Sequence, residues 1–429
     1  MINPKILFIS HDPFSIIGSN GKTFLSLFEN FEDKDILQLY YERLIPHTNK
    51  FNNYYRITDL DIFNSKFTYK NIEIAGIVEN TLVKEIKIQR NTRFRFNIDL
   101  LIKLIRNFLF NSVHLTEIDS FKRCIDNFKP NVIFFVGSSY IYNYRILKEI
   151  SETYQLPYYI YFTDDYFIYN VGNSWISKFF HKRFVKKTKV IVEQAQELFV
   201  ISPKMKKEFG EYFKKKSSIL INAVDTKEPK ELKIDFNTSI TFRYFGWLHS
   251  NRSSSLRYLG QCLKYINDNS NYHCSLEIYS LSTLTKKSKN DLAVSSIKIM
   301  SPLMGEEFLE TLNSSDFLVH AESFEPEDTQ VTMLSVSTKI PEYLLSNRCI
   351  VAVGPSELAS INLLQENNLA IILSEKKSME KDAFAILKII KNIDLYNEYC
   401  QRAIAYCKKE FNSTNMRNTL REKLSQKYE

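Results

Sequence analysis

The chain has 429 residues, enough for two domains that each bury their own core. Hydrophobic residues make up 44% and charged residues 25%, a globular balance that excludes wholesale disorder, and no apolar run approaches the roughly 18 residues of a spanning helix. The formal net charge is +8, and the six cysteines and seven histidines are scattered with neither a Cys-x-x-Cys pair nor zinc-ligand spacing, as in a reducing compartment.

The chain opens directly into an apolar strand, Lys5 to Ser10, so no signal peptide is expected and a cytoplasmic protein is. Further strand-like runs follow at Val132 to Gly137, Tyr158 to Thr163, Glu197 to Ser202 and Ser218 to Asn222. Amphipathic helical stretches such as Thr23 to Phe31 and Ser120 to Phe128 lie between them. This is the pattern of a doubly wound α/β domain spanning 1–225. The polar, lysine-rich stretch Asp225 to Asp235 reads as a linker. A second α/β domain is expected over 236–400. Its strands are Ile240 to Gly246, Ser275 to Ser280, Ser296 to Ser301, Asp316 to Ala321, Cys349 to Gly354 and Leu369 to Ser374. The chain from Asp382 onward is helical and polar, with 401–429 as a terminal helical segment.

Two stretches concentrate the positive charge. Seven basic residues lie between Lys84 and Arg106, interleaved with Phe94, Phe96 and several aliphatic residues. Lys178 to Lys187 carries cations and aromatics with no acid at all. Such patches suit an anionic membrane surface, the alternative being two solvated helix faces. No nucleic-acid-binding motif accompanies them.

Several loops carry candidate chemistry. After the first strand come Gly18, Gly21 and Lys22, a glycine-containing turn at a helix start whose spacing does not match a Walker A loop. Asp164 and Asp165 end a strand, on the ligand side of a parallel sheet, where one of them could orient or deprotonate a hydroxyl; a solvated pair or a helix cap is the alternative. Asp59-Leu60-Asp61 has a metal-binding spacing but no strand leads to it, and it reads as accidental. In the second half, Gly246 closes a strand ahead of Arg252, which suits bidentate phosphate binding. Ser337, Thr338 and Lys339 fall where a helix begins, and backbone N–H groups there favour an anion, with Glu342 one turn further in.

The run Ser337-Thr338-Lys339-Ile340-Pro341-Glu342-Tyr343-Leu344, followed by an apolar strand and Gly354-Pro355, resembles the donor-binding segment of family 4-type glycosyltransferases of the GT-B fold. The resemblance is nearest to bacterial enzymes that build capsular or other surface polysaccharides. It implies two Rossmann-like domains facing across a cleft, with C-terminal helices crossing back to the first. It also implies a nucleotide-sugar donor on the second domain, a glycan or lipid-linked acceptor on the first, retention of configuration and no metal or other cofactor. Carried over by position, Glu342 would hold the donor ribose and Ser337, Thr338, Lys339, Gly246 and Arg252 the diphosphate, while Gly18, Gly21 and Lys22 would line the cleft. Two departures stand out. Trp247 replaces the first of two phosphate-binding cations, and Leu334 occupies the place of the first glutamate of Glu-x7-Glu. Glu322, directly after a strand, is the best-placed substitute, ahead of Glu325 and Glu327, and with Asp164 and Asp165 it completes the candidate catalytic set. These departures keep open a non-catalytic subunit that binds a partner transferase or a membrane. A nucleotide-sugar epimerase of the same fold is the third reading.

Overall fold

The structure is a computed structural model that describes residues 4–16, 19–59, 61–62, 76–77, 104–111, 113–169, 172–225, 236, 239–303, 305–374 and 378–425. The chain forms two units: Met1–Asn222 with Thr414–Glu429, and Ala223–Ser413. Most of the acid-poor basic stretch Lys84–Arg106, the Asp225–Asp235 linker apart from Asp225, and Gly18 lie outside the described residues.

Unit 1 is built on an eight-stranded sheet in the order β4-β3-β2-β1-β5-β6-β7-β8. The strands are β1 (Ile6–Ser10), β2 (Ile36–Tyr40), β3 (Tyr54–Arg56), β4 (Gly76–Ile77), β5 (Val132–Val136), β6 (Tyr158–Phe162), β7 (Leu198–Val200) and β8 (Ser217–Ile219). All pairings are parallel except β3 with β4. β1, β2, β5 and β6 are buried at every residue, which is why β1, β5 and β6 read as continuous apolar runs rather than alternating ones. Aromatic residues fill the space between sheet and helices. The ring of Phe8 lies 4.8–5.4 Å from those of Phe14, Phe24, Phe28 and Phe134, in tilted, edge-on and stacked geometries.

The tyrosines of β6 solve their own polar problem by tying down helices. Tyr158 Oη donates to the carbonyl of Ile191, 2.6 Å, in the helix Trp175–Glu193, and Tyr159 Oη donates to that of Lys423, 2.8 Å. Lys423 belongs to the last helix, Ser413–Ser425, and its Nζ reaches both carboxylate oxygens of buried Glu197 at 2.9 and 3.0 Å. Arg417 of the same helix donates to the carbonyl of Ser26 and pairs with Glu29. The terminal helix is thus part of unit 1, whereas the preceding helix, Ile393–Glu410, stays in unit 2, where Cys407 Sγ contacts the carbonyl of Pro341.

Unit 2 holds a six-stranded parallel sheet in the order β11-β10-β9-β12-β13-β14. Its strands are β9 (Ser239–Phe245), β10 (His273–Tyr279), β11 (Ile297–Met300), β12 (Phe317–Ala321), β13 (Cys349–Val353) and β14 (Ala370–Leu373). One apolar core joins β9, β10, β12 and β13 to the helices Arg252–Asn269 and Met379–Ile390, with stacked Phe242 and Phe317 (ring centroids 4.5 Å) at its centre. At each end of the chain excursion through unit 2, Val224 pairs with Asn412, and Asp225 accepts from Ser413 at 2.5 Å.

Every strand expected from the sequence is present within a few residues. β2, β3 and β4 were not expected. β2 is a five-residue apolar run broken by the buried Gln38, and β3 is only three residues long, so neither stands out locally as a strand until it pairs beside β1. Topologically, both sheets reverse direction next to their first strand: unit 1 between β1 and β5, unit 2 between β9 and β12. Ligands of open parallel sheets bind outside the carboxyl ends of the strands at such reversals.

Candidate active site

In unit 2 the reversal brings the loop after β9 against the residues that leave β12. The turn after β9 is tight. Tyr244 Oη donates to the carbonyl of Trp247, 2.7 Å, and Ser250 and Asn251 both take left-handed backbone conformations. Asn251 precedes the helix Arg252–Asn269 and donates to Asp328 Oδ2, 2.7 Å, which also accepts from Ser323 Oγ, 2.8 Å. Asp328 therefore laces the segment after β12 to the loop after β9.

Arg252, the first helical residue, reaches Glu322, the first residue beyond β12. Nη2 lies 2.9 and 3.1 Å from the two carboxylate oxygens and Nε 3.3 Å from one of them. Glu322, expected directly after a strand as the substitute glutamate, is only 4% exposed and is held on several sides. Its N–H donates to the carbonyl of Val353 (2.8 Å), its carbonyl accepts from Ser255 Oγ (2.6 Å), and a Cβ on Gly354 would stand 3.0 Å from its own Cβ. A side chain at 354 would therefore press on Glu322 and require it to shift by a few tenths of an ångström. Glu325 and Glu327, the other candidates, are exposed. The buried His320 has Nε2 3.6 Å from Glu322, too far for a hydrogen bond. Burial pushes its imidazole below the ordinary range, the Glu322 charge opposing and the Arg252 charge reinforcing, so His320 is held neutral. Burial likewise raises the Tyr244 hydroxyl to about 12, Arg252 opposing and Glu322 adding.

The donor-binding residues expected at Ser337–Glu342 lie at the same sheet edge. Tyr343 Oη sits 3.4 Å from both the N–H and the carbonyl of Phe245, the last residue of β9. The helix there is Ile340–Leu345, beginning three residues after Ser337 and two after Thr338. Ser337 instead forms the turn that precedes it, its carbonyl accepting from Ile340 N–H (3.1 Å) and its Oγ from Lys339 N–H (3.4 Å). Thr338 is exposed, and Lys339 and Glu342 are half-buried. Leu334, in place of the family's first glutamate, is fully buried in the core. Trp247, at the place of the missing cation, is 48% exposed with its ring stacked on His249, centroids 5.1 Å apart and 13° between planes.

In unit 1 the equivalent edge holds His11 and Asp12 after β1 and Glu42 after β2. His11 Nε2 is 3.3 Å from Glu42 Oε2. A hydrogen bond from His11 holds the Glu42 carboxyl down at about 2; burial opposes, while the Arg43 N–H and the charges of His11 and Arg106 help. Asn20 donates to Asp12 Oδ2, 2.7 Å, and one ligand atom from each of His11, Asp12 and Glu42 lies within 4.8 Å of the others. Sequence reasoning missed this cluster because Glu42 is brought to His11 by β2, a strand it did not find. Gly21 is buried so close to Ser15 that a Cβ would stand 2.8 Å from it, and Lys22 projects outward.

Asp164 and Asp165 part company. Asp164 is exposed at the carboxyl end of β6. Asp165, expected beside it as a candidate base, is fully buried. Its Oδ1 accepts from the N–H groups of Phe167 and Ile168 (both 2.9 Å) and its Oδ2 from Tyr169 (2.6 Å). A carboxylate committed to three backbone amides is a loop anchor and not a base. Asp59 and Asp61 are structural as well, Asp59 pairing with Arg106 at 2.7 Å and Asp61 accepting from Thr58 at 2.7 Å. That pairing leaves Arg106, counted in the first basic patch, only 11% exposed.

No family model and no curated protein matches this chain. Solved structures do. A glycosyltransferase from Rickettsia africae is 12% identical over 99% of this chain and 98% of its own, with a TM-score of 0.58. The Escherichia coli structure described as trehalose-6-phosphate bound with UDP-2-fluoro glucose is 9% identical over 98% and 99%, TM-score 0.60. A UDP-forming α,α-trehalose-phosphate synthase from Burkholderia xenovorans, in complex with glucose-6-phosphate, is 8% identical over 98% and 100%, TM-score 0.61. At these identities the likeness is one of fold. The chain has the GT-B architecture, two Rossmann-like parallel-sheet units.

Proposed function

We propose that the protein is a glycosyltransferase that moves a sugar from a nucleotide-sugar donor, bound on unit 2, to a hydroxyl of an acceptor bound on unit 1. The observation that carries this reading is the buried Arg252–Glu322 pair at the β9/β12 reversal. Glu322 engages Nε and Nη2, which would leave Nη1 to meet a diphosphate oxygen. Lys339 would share that charge and Glu342 would accept from the ribose hydroxyls, with Ser337, Thr338 and the Gly246 turn around the phosphates.

In the transfer, the bond from the anomeric carbon to the phosphate oxygen breaks and the acceptor oxygen bonds to that carbon. The acceptor proton passes to the departing phosphate or to Asp164, and Arg252 and Lys339 stabilise the charge that collects on the diphosphate. Retention of configuration, independence of metal, and a lipid-linked glycan acceptor in bacterial surface polysaccharide synthesis complete the reading; they rest on the resemblance of the Ser337–Leu344 segment. Gly21 and Lys22 would line the acceptor side.

A panel of nucleotide-sugars and nucleoside diphosphates, read by thermal shift on wild type, Arg252→Ala and Glu342→Ala, tests the donor site. Stabilisation by one nucleotide, lost in both variants, is expected. No shift with any nucleotide overturns the donor site and leaves a non-catalytic GT-B subunit, the reading that Trp247 in place of a cation favours. Conversion of the donor without any acceptor would instead identify an epimerase.

A further inference from the structure

The helix Trp175–Glu193 has two unlike sides. Phe184, Thr188, Ile191 and Val192 are buried against unit 1, and Tyr158 Oη holds the carbonyl of Ile191. On the outer side Trp175 is 79% exposed, Phe179 58% and Ile176 39%, all within the first two turns. Below them the same side carries Lys178, Lys182, Arg183, Lys186 and Lys187. None of these five makes an ion pair among the described residues. The helix contains no acid before Glu193, which pairs with Lys189 at 3.8 Å.

A solvated helix face does not gather a tryptophan, a phenylalanine and an isoleucine at one end, and a contiguous apolar patch marks a contact surface. Apolar residues with an adjacent cationic band fit a lipid interface, where indole and phenyl rings enter the headgroup boundary and the cations meet lipid phosphates. A nucleic acid would use the cations and leave the apolar end in water.

We propose that this helix docks unit 1 on an anionic lipid bilayer, with its Trp175 end inserted and its five cations on the headgroups. The orientation has a consequence for the acceptor. Because Ile191, near the helix end, contacts Tyr158 at the start of β6, the helix runs antiparallel to β6 and its Trp175 end lies at the carboxyl edge of the sheet. The bilayer then meets the edge that carries His11, Glu42 and Asp164, which supplies a lipid-linked acceptor. That last step rests on the proposed transferase function; the docking does not.

The test uses the full-length chain and sedimentation with vesicles of phosphatidylcholine alone or mixed with phosphatidylglycerol, without donor or acceptor. Binding to the anionic vesicles only, weakening with salt, is expected. Each surface cation contributes about fivefold, so Lys182→Gln with Lys186→Gln should lower the partition coefficient about 25-fold. Both side chains are exposed, so the variant folds, as circular dichroism would verify. In a Trp247→Phe background Trp175 is the sole tryptophan, and its emission should shift to the blue on the anionic vesicles; Phe179→Ser should weaken binding. Equal binding to neutral vesicles, no binding, or an unshifted Trp175 emission overturns the proposal, as does preferential binding of duplex DNA or RNA. Because neither nucleotide nor sugar enters the assay, a failed donor panel leaves this result standing, and a failed vesicle assay leaves the donor site untouched.

Discussion

Removing the Glu322 carboxylate is the sharpest test of how unit 2 is organised. The Glu322 side chain is 6% exposed and that of Arg252 22%, with three nitrogen–oxygen contacts between 2.9 and 3.3 Å. Deleting one partner of a buried pair typically costs about 3–5 kcal/mol, because the other charge stays buried and unpaired. Arg252 keeps some access to water, which lowers the expectation for Glu322→Ala to about 2–4 kcal/mol. For a unit of this size that corresponds to a midpoint roughly 5–12 °C lower. Two units need not unfold together, so the reporter must be local. Trp247 is such a reporter in a Trp175→Phe background. Urea unfolding followed by its fluorescence should show a lower midpoint with an unchanged slope. Arg252→Met alone should cost a similar amount. The double variant Arg252→Met with Glu322→Leu should recover most of the loss, since neither charge is then stranded. An unchanged midpoint in Glu322→Ala, or a double variant equal to the sum of the singles, would refute the account of the pair as a coupled, desolvated unit.

Two further outcomes follow from unit 1. The Glu42 carboxyl is depressed from 4.5 to about 2 in the folded chain, so its contribution is fully present above pH 4.5 and is lost as pH falls toward 2. The difference is worth at most about 3 kcal/mol, and Glu42→Gln should flatten the acid limb of the stability curve in that window; an identical limb would sever the His11–Glu42 link. Asp165→Ala leaves three backbone amides without their acceptor and should destabilise unit 1 by about 3–5 kcal/mol, with Asp164→Ala within roughly 1 kcal/mol of wild type. Thermal melts of the two variants check this, and the reverse order would return Asp165 to the list of candidate bases.

By itself the sequence determined the two-sheet plan. Strands buried on both faces must be written as unbroken apolar runs, and helices between them as amphipathic ones, so β1, β5, β6, β12 and β13 were legible without coordinates, and β9 by its alternation. Local order also placed Arg252 at a helix start and Glu322 at a strand end. Only the tertiary structure decided what those positions mean. Glu322 meets Arg252 across 70 residues of chain because β9 and β12 are neighbours, a pairing that no local signal records. β2 was invisible for the same reason, and with it the approach of Glu42 to His11. Asp164 and Asp165 are chemically identical neighbours in the sequence. Burial and three amide donors make one an anchor, and exposure leaves the other at the carboxyl edge of the sheet, a difference set by the tertiary path of the loop after β6.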